Sequence, residues 1–215
     1  MRIAAIACLV LAAPALADPP APTLAPGTYT NEEDVDFSGE QGRTPPPWTG
    51  LLVDDAGVER FVDPFGQPVA AAALRARTIN ADGSIRATRA DGITTTLRRA
   101  RPATCWIAIP RDAKKADGST DWYFVRDARL HDQGGRVRAG GAAHGAAALV
   151  LRMRNVVWAQ GPNRPSLVLY VHRPEEPDRA LSYAWADPGA KRIGINLRWM
   201  QASCTLEEAE GGKTP

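Results

Sequence analysis

Seven arginines, Arg75, Arg77, Arg86, Arg89, Arg98, Arg99 and Arg101, fall within 27 residues and are opposed there only by Asp82 and Asp91. A guanidinium is a planar fork of donors suited to carboxylates and phosphates. If residues 80–83 and 91–92 are the turns, Arg77 stands opposite Arg86, with Arg75 two residues away on the same face. Like charges directly opposite are unfavourable. The arrangement therefore calls for an anionic ligand, the chain's own acids, or solvent around each head. A phosphate- or uronate-bearing polymer fits such a patch by charge neutralisation. Nucleic acid is not expected, because no aromatic rings interleave these arginines as stacking platforms.

An acidic run, Glu32-Glu33-Asp34-Val35-Asp36, precedes the arginines and is followed by Glu40. Calcium loops space their ligands at alternate positions around a glycine turn, and that pattern is missing here. The run is expected either to be solvated or to lie against the basic sheet. Asp117-Gly118-Ser119-Thr120-Asp121 reads as a plain hairpin turn in preference to a calcium loop. His131, His144 and His172 show no ligand spacing, and no G-x-S-x-G, H-E-x-x-H or P-loop occurs. No metal or cofactor is expected. Catalysis would need residues distant in sequence, such as Asp127, His131 and Glu175, to be brought together by folding.

Six tryptophans and four tyrosines supply flat surfaces on which sugar rings could stack. Trp199 is in phase with Ile193, Ile195 and Leu197 and is expected in the core. Trp158 and Tyr170 fall out of phase with the apolar residues of their strands, so they are candidates for a second face or a ligand cavity. With Arg75, Arg77 and Arg86, they complete the expected ligand-binding set.

The elements that must position these residues are strands. Leu149, Leu151, Met153 and Val157 alternate with Arg152 and Arg154; Leu167, Leu169 and Val171 alternate with Val168, Tyr170 and His172. A period of two marks a sheet with one buried face. Asp-Gly recurs between such runs, at 82–83, 91–92 and 117–118, and is a strong hairpin signal. Residues 69–76 hold the best helical pattern in the body of the chain. Gly134-Gly135 and residues 140–148 are expected to bracket a mobile loop. About ten strands joined by hairpins predict an all-β domain, an antiparallel barrel or a sandwich.

The N-terminus carries one charge at Arg2, an apolar stretch over residues 3–13 and the A-x-A site Ala15-Leu16-Ala17. Those are the parts of a secretory signal peptide, and the stretch is too short to span a membrane, which takes about 20 residues. Cleavage after Ala17 would leave a protein of the periplasm or the medium. Cys105 and Cys204 then remain as an even pair, which an oxidising compartment turns into a disulfide. The expected organisation is a signal over 1–17, an extended proline-rich and acidic segment over 18–47, one β domain over 48–206 and a polar tail over 207–215.

Gly27-Thr28-Tyr29-Thr30-Asn31-Glu32-Glu33 resembles the opening strand of calycin barrels, in which a glycine and an aromatic two residues on close the base of the barrel. Bilin lyases of that superfamily begin with a similar run. The resemblance covers fewer than ten residues. It implies a calycin-like barrel in preference to a sandwich, and no activity is carried over from it.

The functional expectation is an exported, non-catalytic binding or accessory protein for an anionic polysaccharide or small ligand of the cell envelope. The alternatives are a glycan-active hydrolase or lyase, and a protein-binding envelope factor or inhibitor using an exposed loop over 136–144. No membrane span and no nucleic-acid partner are expected.

Overall fold

The computed structural model describes residues 24–70, 74–156 and 165–208. The signal segment, Trp158 and the tail from 209 onward lie outside the described residues. The described chain is nearly all β, as expected, but carries fourteen strands and one α-helix arranged as two curled antiparallel sheets. No helix among the described residues is long and apolar enough to cross a membrane.

The first sheet has six strands: β1 (Gly27–Thr30), β2 (Gly50–Val53), β3 (Glu59–Val62), β4 (Leu74–Ile79), β5 (Ile85–Arg89) and β6 (Thr94–Arg99). Their order is β3-β2-β1-β6-β5-β4. Alternate residues turn inward, so Tyr29, Leu51, Val53, Ile85, Ala87 and Leu97 form one buried cluster. The sheet curls into a half-barrel, and an ion pair joins its two edge strands, Arg77 of β4 meeting Glu59 of β3 at 2.5 Å. Tyr29, the aromatic of the calycin-like run, sits at the centre of this sheet with 2% of its surface exposed.

The turn between β4 and β5 is one residue longer than the sequence suggested. Asn80 N–H donates to the Ser84 carbonyl at 2.8 Å, and Gly83 adopts φ +77°, a conformation that glycine enters without steric penalty. Five loop residues pair Thr78 with Arg86 and Arg77 with Ala87. Opposed residues share a face and neighbours alternate. Arg77 and Arg86 therefore point to opposite faces, and the expected cross-strand arginine pair does not form.

The second sheet has eight strands: β7 (Pro102–Lys114), β8 (Thr120–His131), β9 (Gln133–Gly141), β10 (Ala146–Val156), β11 (Ser166–Arg173), β12 (Glu176–Ala186), β13 (Arg192–Leu197) and β14 (Met200–Leu206). Its path is β12-β11-β10-β7-β14-β13, with β8 on the far side of β7 and β9 on the far side of β10. β7 and β10 meet only where Arg111 faces Ala146, which makes a corner. Bent there, the sheet folds over its own core of Ile107, Ile109, Leu151, Met153, Leu167, Leu169, Ile193 and Met200. Cys105 and Cys204 are directly opposed on β7 and β14 and form a disulfide inside that core.

Four local expectations are corrected. Residues 27–40, read as extended, hold β1 and the helix α1 (Glu32–Glu40). Of the helical pattern over 69–76, residues 69 and 70 lie outside regular elements and Leu74 opens β4, while 71–73 lie outside the described residues. Residues 134–141, read as bracketing and forming a loop, belong to β9, so of the exposed loop expected over 136–144 only residues 142–144, a single 3-10 turn between β9 and β10, lie outside a strand. Trp199 is 39% exposed because it occupies the two-residue turn between β13 and β14, where the alternation of β13 ends.

Replacing both cysteines, Cys105→Ser with Cys204→Ser, frees a loop of 99 residues in the unfolded chain. By chain entropy this removes roughly 4–5 kcal/mol. Urea unfolding of the oxidised protein and the double variant should show that difference, and coincident midpoints would contradict it.

Candidate functional site

The acidic run is a helix with every acid of residues 32–36 engaged. Glu33 pairs with Arg98 at 2.6 Å, and Asp34 accepts from Thr95 Oγ1 at 2.8 Å and from the Thr96 N–H at 2.6 Å. These tie the helix to its own sheet. On its other side Glu32 binds Arg152, and Asp36 binds Arg154 and lies 3.6 Å from Arg152. The expectation that the run would meet the basic sheet holds for Arg98 alone. Its partners on the other side are two partly buried arginines of β10 that lay outside the arginine-rich stretch.

Glu32 is 3% exposed and also accepts from Trp48 Nε1 at 2.9 Å. The Trp48 ring lies against Gly50, where any Cβ would fall 2.5 Å from it. Gly134 and Gly135 permit the approach from the other sheet. A Cβ on Gly134 would sit 2.2 Å from the Glu32 carboxylate, and one on Gly135 would sit 2.7 Å from the His131 ring. The glycine pair is therefore a place of close contact within β9. Asn31 does not cap the helix; its amide bridges the Pro47 carbonyl and Thr95, and its Oδ1 receives the Thr49 N–H at 2.7 Å.

His131 and Asp132 close the seam from the large sheet. Burial pushes the His131 imidazole down to about 4, against the opposing pull of the Glu32 carboxylate. Its Nδ1 accepts from the Gln133 N–H at 3.3 Å, which places the proton of the neutral ring on Nε2. Burial holds the Asp132 carboxyl above its ordinary range, although it accepts from the Arg101 N–H at 2.7 Å and from Asn155 Nδ2 at 3.0 Å.

Beyond the seam, one face of the large sheet carries a row across four strands. In register, Arg136 of β9 opposes Arg152 of β10, Arg152 opposes Tyr170 of β11, and Tyr170 opposes Tyr183 of β12. The next row places Trp185 opposite Val168 and Val168 opposite Arg154. Arg154 lies over the Tyr170 ring at 5.6 Å. Tyr170, Tyr183 and Trp185 follow at ring separations of 6.1 and 5.8 Å. Tyr183 is 55% exposed and Trp185 65%. His172 shares this face, 2% exposed, and neither ring nitrogen has a hydrogen-bond partner within 3.5 Å among the described residues. Burial lowers its pKa; Arg152 and Arg136 push the same way, while the Arg179 backbone and Asp178 oppose them.

Of the expected set, the structure therefore brings Tyr170 to an arginine-bearing face, as its phase implied. Arg75, Arg77 and Arg86 lie on the other sheet and do not join it. Arginine–aromatic pairing was legible from Arg152, Arg154 and Tyr170 as out-of-phase residues on neighbouring strands; Tyr183 and Trp185 become part of it only through the β11–β12 register. No hydrogen bond or ion pair links Asp127, His131 and Glu175, and the described residues hold no metal-binding group of three or more His, Cys, Asp or Glu.

No protein-family model, no curated protein and no solved structure matches this chain.

Glu32→Gln leaves Arg152 without its closest charge and should lower stability by about 3 kcal/mol, measured by chemical denaturation. Acid should also weaken the fold through His131. Its folded pKa lies below the ordinary histidine value, so the unfolded chain takes up the proton first. The stability held by the neutral ring is full above about pH 6.5 and is lost as pH falls toward 4, amounting to roughly 3 kcal/mol. His172 acts in the same direction and Asp132 in the opposite one. The difference between the native chain and His131→Gln isolates this contribution: the variant should lose less unfolding free energy between pH 7 and pH 4.5.

Proposed function

We propose that this chain is an exported binding protein that holds an anionic, glycan-like ligand on the arginine–aromatic face of its large sheet. The row Arg136–Arg152–Tyr170–Tyr183, extended by Trp185, carries the reading. Its two ends differ in kind. At one end guanidinium groups are packed and oriented by α1, and at the other aromatic rings stand open to solvent. Flat rings receive the apolar face of a sugar, and the cationic end favours a carboxylate or phosphate substituent.

The carboxylates near this face favour binding over glycan hydrolysis. Glu32 and Asp36 are engaged by Arg152 and Arg154, whereas a glycosidase needs two carboxyl groups free to flank a glycosidic bond. The secretory signal expected over residues 1–17 supports a ligand of the cell envelope.

Affinity electrophoresis through polygalacturonate, with neutral dextran as the control, tests the proposal. Retardation by polygalacturonate alone is expected, and it should weaken as salt rises. Tyr183→Ala and Trp185→Ala should each weaken binding roughly tenfold, about 1.4 kcal/mol. Equal mobility in both gels, or variants that bind as tightly as the native chain, would overturn the assignment.

A further inference from the structure

A cavity of about 220 Å³ lies where the two sheets meet. It touches the arginine–aromatic row at Arg136 alone and shares none of the row's aromatic rings, so variants at Tyr183 or Trp185 distinguish the two sites. Leu52 and Val62 wall it from the small sheet, Phe65 from the loop after β3, and Leu130 from the end of β8. Thr28 adds a polar group from the small sheet, and His131 and Arg136 add theirs from the large one. An apolar chamber with a few convergent polar groups is the general form of a small-molecule site. Its size is above the 150 Å³ at which an engineered apolar cavity accepts benzene, so a substituted ring fits.

The polar side fixes the chemistry of the occupant. Nδ1 of His131 is engaged by the Gln133 N–H, so Nε2 carries the ring proton and is a donor. The Thr28 hydroxyl adds a second donor. Arg136 is the charge in excess. It stands directly opposite Arg152, whose nearest acid, Glu32, is already bound to Arg152. Within ion-pair distance Arg136 has Asp178, 3.9 Å away on a side chain almost wholly in solvent, and the Glu32 carboxylate that attracts it is shared with Arg152; burial and Arg152 outweigh both. Its Nε is buried with no hydrogen-bond partner among the described residues.

We propose that this cavity binds a small aromatic carboxylate, ring among Leu52, Val62, Phe65 and Leu130, and carboxylate toward His131 and Arg136. Two donors and an undercompensated cation select a carboxylate over its neutral amide, and the volume limits the body to about one ring.

Calorimetric titration of the full chain with benzoate, and with benzamide as its uncharged counterpart, tests the site. Benzoate should bind at least tenfold more tightly than benzamide. Arg136→Gln should bring benzoate down to the benzamide level, and His131→Phe should weaken both ligands. Val62→Phe fills the chamber and should abolish binding of both, with its circular dichroism spectrum and unfolding midpoint showing that it still folds. Should that variant not fold, Leu52→Phe fills the same space from another strand and is read in the same way. Trp185→Ala should leave benzoate affinity unchanged, which separates this site from the polysaccharide face. No heat with benzoate, equal affinity for the two ligands, or unchanged binding in a folded filled variant would overturn the proposal.

Discussion

Two periodicities meet where α1 lies on β10, and the union of the two sheets depends on their agreement. Residues four apart on a helix are separated by about 6 Å along its axis. Residues two apart on a strand are separated by about 6.6 Å. Glu32 and Asp36 therefore present carboxylates at nearly the interval at which Arg152 and Arg154 present guanidinium groups. Each pair is largely withdrawn from water, so neither partner can be lost without stranding a charge. Around this contact the remaining features fall into place. Trp48 supplies a second bond to the Glu32 carboxylate, Gly50 makes room for its ring, and Gly134 makes room for the carboxylate.

The same contact explains what could and could not be read from the sequence. Strands that bury one face announce themselves by alternation, and Tyr170 was placed correctly because its neighbours Leu169 and Val171 are core residues. The cysteines were readable because the third one, Cys8, falls inside the expected signal segment and leaves an even pair. Helix α1 was not readable, because its apolar residues are only Val35 and Phe37 and it is held by charge on two sides. Apolar periodicity is silent about such an element. The arginine pair at 77 and 86 failed for a different reason. A five-residue loop in place of a four-residue one shifts the register by one, and one residue is enough to reverse a side chain.

The half-barrels also show why composition alone misdirected attention. Arginines dense in sequence, those of residues 75–101, are dispersed by a curled sheet: Arg77 to the opposite edge strand, Arg98 to the helix and Arg101 to the β13-side turn at Pro188 and Ala190. Arginines sparse in sequence, at 136, 152 and 154, are gathered by cross-strand register onto one face. Concentration along the chain and concentration in space are separate quantities in a β protein. The β11–β12 pairing then sets Tyr183 and Trp185 beside those guanidinium groups.

The pairing of β7 has a consequence for the order in which the protein can be completed. One edge of β7 is covered by β8, its immediate successor in the chain. The other, over residues 103–108, must wait for β14, which begins at Met200. Throughout synthesis of the intervening strands, a long apolar strand keeps one row of backbone donors and acceptors open, the condition under which strands from different chains join. β13 and β14 form a hairpin of their own across a two-residue turn, so the covering piece can arrive already paired. The last strand is thus the one that seals the longest-exposed seam, and Cys204 within it makes the seal covalent.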